Sequence, residues 1–186
     1  MEKLKPLKGK RIAILATDGF EETELQNTME TFIRYGALVQ IISDKPLIRS
    51  WKNRSWGGEY KTNRMLDDTN LNDFDALLLP GGVLSNDRLR RNQRVIEMIR
   101  EFSQTKKIIA AICHGVQLVI EAELVEGKKV TGHFAVRKDI HNAGGLYEDS
   151  GAVADLNLIT GRSSDDVSAF VHKVVELLEV PELIGK

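Results

Sequence analysis

The sequence is poor in residues that cross-link a chain or bind a metal. Of its 186 residues, one is cysteine, four are proline and four are histidine. A single cysteine excludes an internal disulfide, which agrees with a reducing compartment, and it excludes a zinc site of the paired-cysteine type. The histidines show no H-E-x-x-H or similar ligand spacing. We therefore expect neither a metal nor a cofactor.

Long apolar runs and an excess of one charge are also missing. The longest apolar runs, such as 76–79 and 108–112, are far shorter than the ~20 residues that cross a bilayer. The first ten residues are basic, but no apolar stretch of signal-peptide length follows them. The net charge of −1 points neither to nucleic acid nor to an anionic membrane. We expect a cytoplasmic protein with no nucleic-acid or membrane partner.

What the sequence does contain is an alternation of short apolar runs and amphipathic stretches. This pattern is typical of an α/β domain with a mostly parallel sheet. Strands are predicted over 11–16, 38–43, 76–79, 107–112, 153–156 and 158–160. Helices are predicted over 21–35, 87–102, 116–122 and from about 164 onward, and a small hairpin or excursion over 49–61. We expect one domain over 1–186, with 1–9 as a flexible N-terminal segment.

Three predicted strands end in polar or glycine-rich turns, at 18–24, 80–82 and 111–115. Ligands in open α/β sheets bind beyond the carboxyl ends of the strands, so these turns can meet at one site. The third turn has the pattern of a nucleophile elbow, because the small residues Ala111 and Gly115 bracket Cys113. From residue type alone, a buried structural cysteine is the alternative. In the elbow, the helix N-terminus is expected to lower the pKa of the thiol below ~8.5.

Acidic side chains open the first predicted helix. Glu21 and Glu22 are most simply explained as charges that complement the helix dipole. Glu24 lies one turn further in, where its carboxyl group could hold a proton and hydrogen-bond the cysteine sulfur, if burial raises its pKa.

Two histidines and a glycine complete the set of candidates. His114 directly follows the cysteine and could act as general base or acid, with solvent exposure as the alternative. His133 follows a predicted strand and is an independent candidate. Gly82 could offer its N–H to an oxyanion alongside the N–H of His114, unless Pro80-Gly81-Gly82 is only a tight turn.

Three stretches resemble the PfpI-like intracellular peptidase/amidase family, within the superfamily of the Parkinsonism-associated deglycase and class I glutamine amidotransferase-like proteins. They are DGFEETEL at 18–25, DFDALLLPGG at 73–82 and AICHGVQ at 111–117. The resemblance extends from about Lys10 to Leu178. It implies a flavodoxin-like three-layer sandwich with a mostly parallel sheet and a cysteine nucleophile elbow.

The resemblance also implies roles for individual residues. It makes Cys113 the nucleophile and Glu24 the carboxyl partner of its sulfur, with oxyanion-hole N–H groups from Gly82 and His114. His133 matches a histidine of the deglycase branch, whose cysteine is followed by alanine. The longer motif match favours His114 over His133.

In the peptidase-like branch, the histidine after the cysteine pairs with an acid from the neighbouring subunit. Asp87 is similar in position to that acid, but the match requires one extra residue in the loop, which makes Asn86 its rival. The resemblance therefore implies a homodimer or a higher homo-oligomer.

Three functions follow from these observations. The one we expect is glyoxalase- or deglycase-like turnover of small reactive carbonyls, such as methylglyoxal, or of their peptide and protein adducts in stress protection. The first alternative is an intracellular cysteine peptidase or amidase that uses Cys113, His114 and the acid of a neighbouring subunit. The second is a redox sensor or chaperone without turnover, since an exposed thiolate is prone to oxidation.

Overall fold

Strands and helices alternate along the chain in a computed structural model that describes residues 5–180. The strands are β1 (Arg11–Leu15), β2 (Phe20–Glu21), β3 (Leu38–Ser43), β4 (Leu47–Lys52), β5 (Ser55–Lys61), β6 (Arg64–Met65), β7 (Ala76–Leu79), β8 (Ile108–Ile112), β9 (Lys129–Val130), β10 (Leu146–Tyr147), β11 (Ala152–Asp155) and β12 (Leu158–Gly161). The helices are α1 (Glu22–Arg34), α2 (Val83–Arg90), α3 (Gln93–Gln104), α4 (Val116–Glu121), α5 (Arg137–Asn142) and α6 (Val167–Glu179).

Seven strands form the central sheet, in the order β11-β12-β8-β7-β1-β3-β6. The antiparallel pair is β11–β12, and the neighbours from β12 to β6 pair in parallel. The chain first moves from β1 to β3, and later returns to build β7 and β8 on the other side of β1. The sheet therefore has its topological switch point at β1 and β7, where α/β proteins bind ligands. The turns after β1, β7 and β8 lie beside it.

Alternate residues of the central strands enter two separate apolar cores. Because successive side chains of a strand point to opposite faces, Leu77 and Leu79 join one core while Ala76 and Leu78 join the other. Helices α2 to α5 cover the first core, and α1 and α6 cover the second. The predicted three-layer sandwich with a mostly parallel sheet is confirmed.

The helix predicted over 87–102 is wrong, because the chain forms two helices there. The side chain of Asn92 accepts a hydrogen bond from the backbone N–H of Arg94 at 3.1 Å and caps the start of α3. Leu89, Val95 and Ile99 nevertheless share one core across the break, so their spacing gives no sign of it. No helix within residues 5–180 combines the length and apolar character needed to span a membrane.

A hairpin of β4 and β5 stands beside the main sheet, as expected for this segment, and β2 pairs with β4. Its two-residue turn, Asn53 and Arg54, has positive φ at both positions, as a type I′ turn requires. Trp51 lies opposite Trp56 in the pairing, and their rings pack edge to face with centroids 5.5 Å apart. The hairpin reaches the carboxyl edge of the sheet through β2.

The segment 1–9, expected to be flexible, lies partly outside the described residues. In its described part, Leu7 is fully buried and donates a backbone hydrogen bond to the carbonyl of Tyr35 at 2.9 Å. Leu7 therefore attaches this part of the segment to the end of α1, while Lys5, Lys8 and Gly9 are exposed.

Candidate active site

Cys113 occupies a sharp turn between β8 and α4. Its φ is +59°, in the left-handed region that non-glycine residues rarely adopt, and residues 113–115 form one turn of 3-10 helix. A Cβ at Gly115 would lie 3.0 Å from both the carbonyl carbon of Leu79 and the carbonyl oxygen of Pro80. Glycine is needed there because β7 passes so close. The backbone is strained at the cysteine, as in a nucleophile elbow.

Glu24 lies fully buried in the first turn of α1 and faces the cysteine. One carboxyl oxygen accepts a hydrogen bond from Ser164 Oγ at 2.8 Å, the other accepts one from the Gly81 N–H at 2.7 Å, and the Cys113 thiol is a further partner. Burial raises the pKa of Glu24 to about 7, although these hydrogen bonds act in the opposite direction and lower it. The carboxyl group therefore gains or loses its proton near neutral pH.

The thiol does not have the low pKa that the helix N-terminus predicts. Burial raises the pKa of Cys113, and the adjacent Glu24 charge raises it further, while the His114 backbone N–H lowers it. The helix-end argument is wrong here because it ignores burial and a carboxylate in contact with the sulfur. Cys113 and Glu24 instead form a coupled pair that retains one proton once pH exceeds the carboxyl pKa.

His114 lies beside the sulfur, and His133 lies beside His114. His114 Nδ1 is 3.4 Å from Cys113 Sγ, so the turn does bring adjacent side chains together. The ring of His133 stacks on that of His114, with centroids 4.5 Å apart and planes inclined by 28°. Burial, and secondarily His133, lowers the pKa of His114 to about 4, and burial also lowers the pKa of His133. Both rings are therefore neutral near pH 7.

Gly82 begins α2 with φ of +104°, a conformation that favours glycine. A Cβ there would lie 2.6 Å from the Glu21 backbone nitrogen and 2.7 Å from the Phe20 Cα, so this turn packs directly on β2. The buried amide of Asn86 donates hydrogen bonds to the carbonyls of Pro80 and Gly82, at 3.0 and 2.9 Å. Asn86 thereby fixes the loop that carries the predicted oxyanion donor.

Asp87 is the one predicted site residue that the structure does not bring to Cys113. It is exposed, pairs with Arg91 at 3.3 Å, and lines a separate groove with other arginines. Its rival Asn86 is buried in α2, where its amide bonds the Pro80–Gly82 loop of its own chain. A role for Asp87 across a subunit contact stays a prediction.

Glu22, two residues before Glu24, holds the β4–β5 hairpin. Its carboxylate accepts hydrogen bonds from Ser50 Oγ and Lys52 Nζ, both at 2.5 Å, and from the Gly58 N–H at 2.9 Å. The Lys52 contact, then those of Ser50 and Gly58, lower the pKa of Glu22 to about 2. Complementing the helix dipole is thus only part of what Glu22 does. We call this cluster the hairpin clamp: Glu22, Ser50, Lys52 and Gly58.

A cavity of about 570 Å³ joins these elements. Its lining includes five of the six predicted site residues and several that sequence reasoning missed as site residues, namely Trp51, Glu21, Ser164 and Asp165. The full lining is Gly19, Glu21, Glu24, Trp51, Gly82, Val83, Leu84, Cys113, His114, His133, Ser163, Ser164 and Asp165. Within residues 5–180, no three His, Cys, Asp or Glu side chains cluster closely enough to hold a metal ion.

Comparisons with known proteins identify the family and several relatives of this chain. Residues 10–177 match the model of the DJ-1/PfpI family. The chain is 37% identical over 172 residues to the putative cysteine protease YraA of Bacillus subtilis, covering 91% of this chain and 99% of that one. It is 36% identical over 170 residues to protein/nucleic acid deglycase 2 of Escherichia coli, covering 91% and 98%. The solved structure of Schizosaccharomyces pombe DJ-1 superposes with a TM-score of 0.80 at 24% identity, covering 89% and 90%.

Proposed function

This chain belongs to the DJ-1/PfpI family, and from that premise we propose that it is a cysteine-dependent enzyme for small reactive carbonyls or their adducts. The observation that carries the proposal is the contact between the Cys113 thiol and the buried carboxyl group of Glu24, in a cavity that also holds His114 and His133. The deglycase name of the Escherichia coli relative supports adducts of proteins or nucleic acids as the natural substrates.

Glu24 is the proposed acceptor of the thiol proton. Its pKa of about 7 matches a neutral operating pH, whereas a histidine with a pKa of about 4 is a weaker base. Transfer of the proton from sulfur to the carboxylate leaves a thiolate next to a neutral acid. That acid can then donate a hydrogen bond to the oxygen or sulfur that carries charge during the reaction.

Methylglyoxal illustrates the proposed sequence of steps. The Cys113 thiolate adds to the aldehyde carbon, and the oxygen takes the proton held by Glu24, which gives a hemithioacetal. A base, His114 or His133, removes the proton from that carbon and returns it to the adjacent carbon. The proton of the hemithioacetal hydroxyl moves to the neighbouring carbonyl oxygen, and the product is the thioester of lactate. Water then hydrolyses the thioester to lactate and restores the thiol. In this scheme, the N–H groups of Gly82 and His114 stabilise the oxyanions.

A second candidate, peptide or amide hydrolysis, is favoured by the 3.4 Å contact between Cys113 Sγ and His114 Nδ1. The cysteine-protease name of the Bacillus subtilis relative also favours it. This reaction would require an acid near His114, and we propose Asp87 of a second copy for that place. The same proposal implies a homo-oligomer, and we propose a cytoplasmic setting for it.

The deciding experiment measures lactate formed from methylglyoxal by the reduced wild type and by Cys113→Ala, His114→Ala and His133→Ala. We expect Cys113→Ala to abolish turnover and one histidine variant to lose roughly 10²-fold or more in kcat. A larger loss with His114→Ala than with His133→Ala identifies His114 as the proton shuttle, and the reverse identifies His133. Absence of lactate with the wild type would overturn the proposal, and cleavage of peptide substrates would then test the second candidate.

A further inference from the structure

One wall of the cavity combines an aromatic ring with acidic side chains. Trp51, Glu21 and Asp165 all line it, and Trp51 and Glu21 are partners in the β2–β4 pairing, so they lie side by side. The lining contains no lysine or arginine. Burial keeps both lining histidines neutral near pH 7, so they add no positive charge beside the acidic side chains. Burial also raises the pKa of Glu21, while the Thr23 N–H and the charge of Lys52 lower it.

The indole of Trp51 is held in place from two sides. Ser50 and Lys52, its neighbours in β4, both donate to Glu22 in the hairpin clamp. The ring of Trp56 packs edge-on against it, with an interplanar angle of 84°. A rigid aromatic side chain loses little conformational freedom when a ligand stacks on it, which suits a recognition surface.

Two cations of the hairpin already have other partners. Lys52, the nearest lysine to Glu21 in the β2–β4 pairing, is bonded to Glu22 at 2.5 Å. Arg49 places its guanidinium carbon 5.8 Å from the centroid of the Trp56 ring. Trp56 therefore already contacts a guanidinium of the same chain, that of Arg49, whereas Trp51 lines the cavity beside the carboxyl group of Glu21.

From these observations we propose that Trp51 and Glu21 form a subsite for a planar organic cation, above all a guanidinium, attached to the carbonyl group that Cys113 attacks. This rests on the proposed function, because it assigns the substrate class of the same site. An aromatic face and a carboxylate together bind a guanidinium through cation–π attraction and an ion pair. Asp165, which is exposed at the rim, adds a longer-range attraction.

Occupation of this subsite would also activate the thiol. The charge of Glu21 is among the causes that raise the pKa of Cys113 and of Glu24. A bound cation would offset that charge, so the thiolate would form more readily when a cationic substrate is present than in the empty site.

The test uses the Cys113→Ala chain, which removes the proposed chemistry, and two probes without a reactive carbonyl. Calorimetry compares Nα-acetylarginine amide with Nα-acetylcitrulline amide, which has nearly the same shape but no charge. We expect the arginine probe to bind roughly 5- to 30-fold more tightly, and this preference to shrink with added salt. Equal binding of the two probes, or no binding of either at millimolar concentration, would overturn the subsite.

Matched variants in the same background locate the preference. Glu21→Gln and Trp51→Leu are each expected to reduce the arginine preference several-fold. Glu59→Gln makes the same charge change outside the cavity lining, and Trp51→Phe keeps an aromatic face at the same position, so we expect this control pair to retain most of the preference. If the control pair reduces the preference as much as the first pair, the assignment to Trp51 and Glu21 is wrong. Since binding is measured without the thiol, this failure is distinct from a failure to form lactate.

Discussion

Two buried glutamates, two residues apart on the same helix, have pKa values that are shifted in opposite directions. The pKa of Glu22 is lowered to about 2, and the pKa of Glu24 is raised to about 7. Both side chains accept hydrogen bonds from a serine hydroxyl and a backbone N–H. Two differences separate them. Burial is the largest influence on the pKa of Glu24 and a minor one on that of Glu22, and Glu22 also accepts a hydrogen bond from the ammonium of Lys52, whereas Glu24 contacts a neutral thiol. Burial and nearby charge together decide whether such a carboxyl group keeps its proton at neutral pH.

This difference separates a structural carboxylate from a reactive one. Glu22 remains ionised at any pH near neutrality and holds the hairpin against α1. Glu24 exchanges its proton near pH 7 while in contact with Cys113. Each is also approached by a glycine, Gly57 for Glu22 and Gly81 for Glu24, at a distance that leaves no room for a Cβ. The two sites share this close glycine packing, and they differ in the effect of burial and in nearby charge.

The largest expected effect is on turnover by the Glu24→Gln variant. Glutamine retains hydrogen-bonding atoms but cannot take the thiol proton, so we expect kcat/KM for methylglyoxal to fall roughly 10²- to 10⁴-fold. Glu22→Gln is the matched control two residues away, and we expect a much smaller loss from it. Equal losses in the two variants, measured by initial rates of lactate formation, would contradict the separation of roles.

The pH profile sharpens the same test. Below the pKa of Glu24 both partners of the pair are protonated, and above it one proton is shared, so wild-type kcat/KM should rise as pH passes through about 7. Glu24→Gln should lose this rise. A wild-type profile that is flat from pH 5.5 to 8 would contradict proton transfer to Glu24.

The next largest effect is on stability. As pH rises, the contribution of Glu24 to the free energy of unfolding should fall, and that of Glu22 should grow. The folded pKa of Glu24 is above its ordinary value of 4.5, so its contribution is complete below pH 4.5 and is lost as pH rises through about 7. The folded pKa of Glu22 is below 4.5, so its contribution is present above pH 4.5 and is lost as pH falls toward 2.

Urea unfolding at pH 5 and pH 8 measures this difference. The free energy of unfolding of Glu24→Gln minus that of wild type should increase by about 2–3 kcal/mol from pH 5 to pH 8. The size follows from the pKa of Glu24, which folding raises from 4.5 to about 7. Glu22→Gln should be less stable than wild type at both pH values, since the amide cannot pair with Lys52. A Glu24→Gln difference that does not change with pH would show that the carboxyl group does not titrate in this range.

The sequence predicted the sheet, the elbow and the candidates on its loops, because strand-ending turns and short motifs are local features. It did not predict the pairing of Ser164 with Glu24, since 140 residues separate the two. Ser164 lies in a turn of 3-10 helix that precedes α6, and from there its hydroxyl donates to Glu24. The prediction of a lowered pKa for Cys113 was wrong for the same reason. Burial raises this pKa, and the residues that bury the thiol are remote in sequence.

Trp51 shows a different limit of sequence reasoning. The sequence of segment 49–61 predicted a hairpin or excursion, but it did not indicate whether Trp51 or Trp56 would line the cavity. That outcome depends on the hairpin clamp and on the β2–β4 register, both of which are tertiary contacts. Asp87 marks the remaining gap, since its predicted role requires a second copy of the chain.

The smallest expected effect tests the packing of the hairpin clamp with two adjacent glycines. A Cβ at Gly57 would lie 2.5 Å from Glu22 Oε2 and would also collide with Ser50 Oγ, whereas a Cβ at Gly58 would lie at an ordinary 3.4 Å from the same carboxylate oxygen. We expect Gly57→Ala to lower the free energy of unfolding by about 1–2 kcal/mol relative to Gly58→Ala, measured by urea unfolding at pH 7. Both variants restrict the unfolded chain in the same way, so their difference isolates the contact with the clamp. Equal stabilities would mean that the clamp yields at little cost, and Glu22 would then lose its role as the fixed counterpart of Glu24.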